Sequence, residues 1–138
     1  MKLKITNSWS DDDLLHYLVV SPILGKNIYN LEDVADSECD EIYCNILEKM
    51  PISAVASTIT NYTKKLRHGG KIIFEGTDFI QTCLAVINRS TTIFDANNII
   101  YGGPESWNLN ASMICASDIS AVLTQLGLKI TKRALYGS

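Results

Sequence analysis

Glycine is nearly missing from the first half of the chain: Gly25 stands alone before Gly69. A loop that cradles phosphate, or lets backbone pass close to a ligand, needs clustered glycines, because a Cβ would collide with what is bound. A phosphate-binding loop is thereby excluded from this half, and no Gly-x-Ser-x-Gly nucleophile elbow occurs anywhere. Cysteine and histidine are scarce and scattered. Cys39, Cys44, Cys83 and Cys115 form no Cys-x-x-Cys pair, and His16 and His68 lie far apart, so spacing offers no zinc site. Cys44, Cys83 and Cys115 sit among apolar neighbours and are expected as reduced, buried thiols. No apolar run approaches the ~20 residues of a membrane span. Met1 leads into a strand-like Lys-Leu-Lys-Ile rather than a signal peptide, which points to a cytoplasmic protein. An excess of positive charge is lacking too. The chain has 12 Lys and Arg against 15 Asp and Glu, a net charge of −3, which argues against a broad nucleic-acid surface. The one basic cluster (Lys64, Lys65, Arg67, His68, Lys71) reads as a solvated helix end, where cations suit the dipole.

What is present is the material of a core. Hydrophobic residues make up 46% of 138 residues, enough for one domain over 1–138. Lys2 to Thr6 alternates like a short strand. After a turn over Asn7 to Ser10, Ser10 can cap a helix with Asp11, Asp12 and Asp13 at its positive end. Leu14, Leu15, Leu18 and Val19 mark one face of that helix, and Pro22 and Gly25 end it. Ile28 to Leu31 is a brief strand candidate, and Glu32 to Cys39 an acidic loop. Glu41 to Asn45 reads as a strand. Pro51 opens a helix with a stripe of Ile52, Val55, Ile59, Tyr62 and Leu66, and His68-Gly69-Gly70 stops it. Lys71 to Glu75 is apolar enough for a strand covered on both faces. Helices are expected at 78–88, with Phe79, Cys83, Leu84 and Ile87 on one side, at 94–100, and at 119–126, the last capped by Ser117 or Asp118. Residues 104–113 read as an irregular loop and 128–135 as a final strand. The alternation predicts an α/β fold: a single domain with a mainly parallel, doubly wound sheet.

Two stretches, Ala35-Asp36-Ser37-Glu38-Cys39-Asp40-Glu41-Ile42-Tyr43-Cys44-Asn45-Ile46-Leu47-Glu48-Lys49-Met50-Pro51 and Leu66-Arg67-His68-Gly69-Gly70-Lys71-Ile72-Ile73-Phe74-Glu75, fall in register with each other. With Tyr101-Gly102-Gly103 and the run from Ile119 to Ile130, they resemble class I S-adenosylmethionine-dependent methyltransferases over about residues 35–135. The resemblance implies a Rossmann-like sheet, S-adenosylmethionine as cofactor and methyl transfer without a metal. It also implies a reduced domain. The glycine-rich turn after the first strand, the acid that holds the ribose, one N-terminal strand–helix unit and the last strand have no counterpart.

Ligands of doubly wound sheets bind outside the carboxyl ends of the strands. The resemblance puts a methyl acceptor near Asn45, Glu48 and Asp78, the candidate catalytic residues. Lys49 stands where the family often has a histidine, and a protonated lysine cannot serve as that base. Glu48 also reads as a helix-flanking acid, Lys49 as a surface charge and Asp78 as an N-cap. Asn7 and Trp9, after the first strand, and Glu32 or Asp33 are the candidates for holding the cofactor. Trp9 and Tyr43 offer rings for stacking, with core packing the alternative for Tyr43.

Two functions follow. One is a non-catalytic binding or structural module with a protein partner or a homo-oligomeric state, since a trimmed sheet leaves edges to cover. Such eroded copies suit a phage or other small genome. The other is an active minimal methyltransferase, working by positioning its two substrates in line. Neither calls for a membrane or a nucleic acid. A nucleotide- or sugar-processing enzyme of another class would rest on the fold alone.

Overall fold

The computed structural model describes residues 1–102 and 110–134. Four strands, β1 (Lys2–Ile5), β2 (Leu18–Val20), β3 (Cys39–Cys44) and β4 (Leu66–Phe74), form a sheet in the order β2-β1-β3-β4. Every pairing is parallel. Among the described residues five α-helices accompany them, α1 (Asp11–His16), α2 (Ile52–Lys65), α3 (Phe79–Ile87), α4 (Ile93–Tyr101) and α5 (Ala116–Gln125), with 3-10 turns at Pro22–Leu24 and Leu47–Lys49. The α/β expectation holds in this form, and the winding is compatible with a Rossmann-like fold.

The two faces of the sheet have different chemistry. Successive strand residues point to opposite sides. Leu3, Ile5, Ile42 and Cys44 share one face, and each is fully buried. They join Val55, Ile59 and Tyr62 of α2 and Leu123 of α5 in one core. Lys4, Glu41, Tyr43 and Lys71 share the other face. There the Lys4 ammonium lies 2.9 Å from Asp13 of α1 and 5.2 Å from the centre of the Tyr43 ring. The Tyr17 hydroxyl donates to Glu41 at 2.9 Å, and Lys71 pairs with Glu41 at 3.1 Å. Burial pushes the Glu41 carboxyl up, but the hydrogen bonds from Lys71 and Tyr17 outweigh it and hold it below the usual range.

Several local expectations are met. Ser10 and Asp13 form a capping box at α1, Pro51 precedes α2, and Asp78 caps α3. Others are corrected. The first helix ends at His16, and Leu18 and Val19 belong to β2, where β-branched Val19 and Val20 prefer to be. Ile28 to Leu31 is a turn rather than a strand. Ile28, Leu31 and Val34 are buried in the core, so this return from β2 to β3, whose one regular element is a 3-10 turn at Pro22–Leu24, covers the apolar face with loop side chains. The stripe of α2 is Val55, Thr58, Ile59 and Tyr62, and Ile52 is exposed.

His68-Gly69-Gly70 does not stop α2, which ends at Lys65; it lies inside β4. The register of β4 against β3 jumps between Cys39–Leu66 and Glu41–Lys71. The extra residues are absorbed by Gly69 at φ 81°, a left-handed conformation that suits a bulge. Among the described residues β4 is an edge strand, and Ile72, Ile73 and Phe74 are only half-buried. The inward residue of α3 is Thr82, with Leu84 and Ile87 exposed. The last helix starts at Ala116 after Cys115, before Ser117 and Asp118. Residues 128–134 form no strand. Residue 135 of the expected strand and residues 104–109 of the expected loop lie outside the described residues. Cys39 and Cys44 are buried, whereas Cys83 and Cys115 are partly exposed. Burial pushes the Cys44 thiol up to about 12, which keeps it protonated and unreactive.

Candidate functional site

A strand order of β2-β1-β3-β4 has its switch point between β1 and β3, where the chain turns to opposite sides of the sheet. The residues that follow these strands meet there. Past β1, the Thr6 hydroxyl donates to the Ser8 carbonyl at 3.0 Å and accepts the Ser8 N–H at 3.1 Å, which ties the turn to itself. Asn7 Oδ1 accepts a hydrogen bond from Ser21 Oγ, the first residue past β2, at 3.1 Å. Trp9 is half-buried beside the Ser10 cap. Past β3, the Asn45 N–H donates to the Ile5 carbonyl at 3.3 Å. The Asn45 side-chain oxygen is buried without a hydrogen-bond partner among the described residues.

Glu48 stands one turn further on, half-buried. Its Oε2 accepts the Thr77 N–H at 3.1 Å, and a Cβ on Gly76 would come within 3.4 Å of that oxygen. Burial pushes the Glu48 carboxyl up, against smaller opposing effects of the Thr77 N–H and the Lys49 charge. Its backbone carbonyl accepts the N–H groups of Ala111 at 2.7 Å and Ser112 at 3.2 Å. Glu48, Thr77 and Ser112, with the apolar walls Phe79, Ile100 and Ile114, line a crevice of about 10 Å³, the size of one water. Ser112 Oγ is buried there without a partner among the described residues.

Because its carboxyl is raised in the fold, Glu48 binds its proton more tightly folded than unfolded. The stability linked to it is fully present below the ordinary glutamate range and is lost as pH rises through the raised value. Glu48→Gln abolishes the titration and keeps an oxygen for the Thr77 N–H. Its stability relative to wild type should therefore grow from about pH 4 to about pH 8 in urea melts. A difference that does not change with pH would mean that the carboxyl is not held in the crevice.

The remaining candidates divide. Asp78 lies next to Glu48's partner Thr77, but both of its carboxylate oxygens are engaged. Oδ1 accepts the Gln81 N–H at 3.1 Å, and Oδ2 accepts the Ala116 N–H at 2.8 Å. It caps α3 and tethers the start of α5. Lys49 is no free surface charge: its ammonium donates to Asn110 Oδ1 at 2.7 Å, and the Asn110 amide donates to the Ile100 carbonyl at 2.8 Å. Glu32 and Asp33 are exposed on the return from β2 to β3. Their neighbours Tyr29 and Ser37 bond to Asn61 and Lys64 in the last turns of α2. That is the end of α2 that points away from Asn7, Asn45 and Glu48. Tyr43 lies on the sheet face with Lys4, its hydroxyl donating to Glu75 at 2.6 Å.

Sequence reasoning brought Glu48 and Asp78 to adjacent loops but missed Thr77 and Ser112 as partners of Glu48, Ala116 as the partner of Asp78 and Asn110 as the partner of Lys49. Asn110 lies 61 residues from Lys49, and no local pattern announces such a pair. Among the described residues no helix is long and apolar enough to cross a membrane. No group of three His, Cys, Asp or Glu among them is placed to hold a metal ion. No protein-family model, curated protein or solved structure matches the chain.

Proposed function

We propose that this protein is a reduced methyltransferase-like domain working as a non-catalytic binding or structural module, kept for its surfaces rather than for methyl transfer. The observation that carries this reading is the hydrogen bond from Ser21 to Asn7. It joins the tips of β1 and β2, where a Rossmann-like fold presents groups to its cofactor. The position just past β2, where an acid would take the ribose hydroxyls, is a serine that is fully buried and turned inward. The turn after β1 contains no glycine and is spent on its own hydrogen bonds and on the α1 cap.

The second reading, an active minimal methyltransferase, is favoured by the unpaired Asn45 oxygen at the switch point. An unsatisfied buried acceptor is costly, and a ligand amino group would satisfy it. Glu48, with its raised carboxyl, would then be the group nearest an acceptor nucleophile. One titration separates the two. Calorimetry with S-adenosylmethionine and with S-adenosylhomocysteine should give no heat, and about 1 mM of either should leave the melting temperature unchanged. Binding with a Kd near 1 μM, about −8 kcal/mol, would overturn the module reading.

A further inference from the structure

The helical hairpin α3–α4 is built with its small residues inward. The fully packed positions are Thr82 on α3 and Ala96 on α4. The large apolar side chains Ile80, Leu84, Ile87, Ile93, Phe94 and Tyr101 point outward, between 44% and 85% exposed. Between the helices runs a groove of about 340 Å³. A helix stripe of this kind is stable only when another element covers it, and nothing among the described residues does.

We propose that this hairpin is the contact surface for a second copy of the chain, the two hairpins pairing across a twofold axis as a four-helix layer. Area supports it. At about 200 Å² for a fully exposed side chain of this size, the six expose roughly 700 Å². The largest apolar patch on an ordinary monomer is about 300–600 Å², and one side of a standard stable interface is about 800 Å².

Charge narrows the occupant. Neither α3 nor α4 contains Lys or Arg, and their only charged residue is Asp95. An anionic membrane surface or a nucleic acid calls for cations on such a hairpin. A patch whose helices carry a single charged residue, Asp95, meets little like-charge repulsion when laid on its own copy, even though each chain carries a net charge of −3. This names the partner of the binding-module reading and rests on that reading. The two fail separately, because cofactor titration reads the sheet end and mass reads the hairpin.

The test is sedimentation velocity from about 1 to about 100 μM, a range that brackets a micromolar dimer, with wild type and the double variant Ile87→Glu, Phe94→Glu. Both positions are exposed in the single chain, so circular dichroism and the melting transition of the diluted variant should match those of the wild-type monomer. Wild type should approach twice the 15.3 kDa of one copy. The variant should stay at one copy, with the dissociation constant weakened at least about 100-fold. A wild type that stays monomeric at the highest concentration overturns the proposal. So does a dimer that survives the double variant, which would assign self-association to another surface such as the β4 edge.

Discussion

Tyr62→Ala is expected to remove about 3–5 kcal/mol of folding stability, as truncation of large buried aromatics does, and to leave a domain of ordinary stability close to unfolding at room temperature. Tyr62 is fully buried and joins three parts of the molecule. It lies on the inward stripe of α2, packs in the core beneath β1 and β3, and donates its hydroxyl hydrogen to the Ile28 carbonyl at 2.6 Å. That last bond anchors the return from β2 to β3. Tyr62→Phe isolates it: the ring stays, the buried carbonyl of Ile28 loses its donor, and the loss should be about 1–2 kcal/mol. Urea melts would read both as shifts in midpoint at unchanged slope. A Tyr62→Ala loss below about 1 kcal/mol would mean that the return segment and α2 are not packed together as described.

Gly70→Ala is expected to cost about 1–3 kcal/mol by forcing atoms into a closed space. A Cβ at Gly70 would lie 3.0 Å from the Arg67 carbonyl, 3.0 Å from the Asp40 carbonyl and 2.9 Å from Leu66 Cδ1. Two of these three atoms are backbone in the β3–β4 pair, so relief requires the strands to part. Its neighbour Gly69 gives the contrasting case. A Cβ there meets nothing within 4 Å, but the backbone sits at φ 81°. Gly69→Ala should therefore carry only the conformational penalty of about 1–2 kcal/mol, and Gly69→Asn less, because asparagine tolerates that region. Thermal melts of the three variants should rank Gly69→Asn above Gly69→Ala, with Gly70→Ala matching or falling below Gly69→Ala. A Gly70→Ala protein as stable as wild type would refute the bulge.

These two glycines show where the sequence was legible and where it was not. Gly-Gly after a basic helix end reads locally as a stop signal, and only pairing with β3 decides that the chain is already extended at Leu66. The caps at Ser10 and Asp78 were readable because a cap is local: the acceptor side chain and the N–H groups it takes lie within three residues. Leu18 and Val19 continued a helical period yet joined β2, because pairing with β1 overrides a weak local preference. The candidate site was half readable. Position after a strand pointed to Asn45, Glu48 and Asp78. The surroundings of Glu48 and Asp78 came from Ala111, Ser112 and Ala116, which distant parts of the chain deliver. The adenine-side candidates Glu32 and Asp33 rested on counting back through a segment whose course only the α2 contacts define.

The return from β2 to β3 bears on how the chain acquires its structure during synthesis. β1 and β2 leave the ribosome first, but their apolar sides have nothing to bury against until Cys39–Cys44 pairs with β1 and α2 supplies Ile59 and Tyr62. Pairing partners such as Leu3 and Ile42 are separated by most of that early chain, and long closures of this kind are slow. The unit β3–α2–β4 is contiguous in sequence and can form early, with the first two strands adding to its open side afterwards. Folding is then expected to run from the middle of the chain outward, and pulse-labelled hydrogen exchange should protect β3, α2 and β4 before β1 and β2.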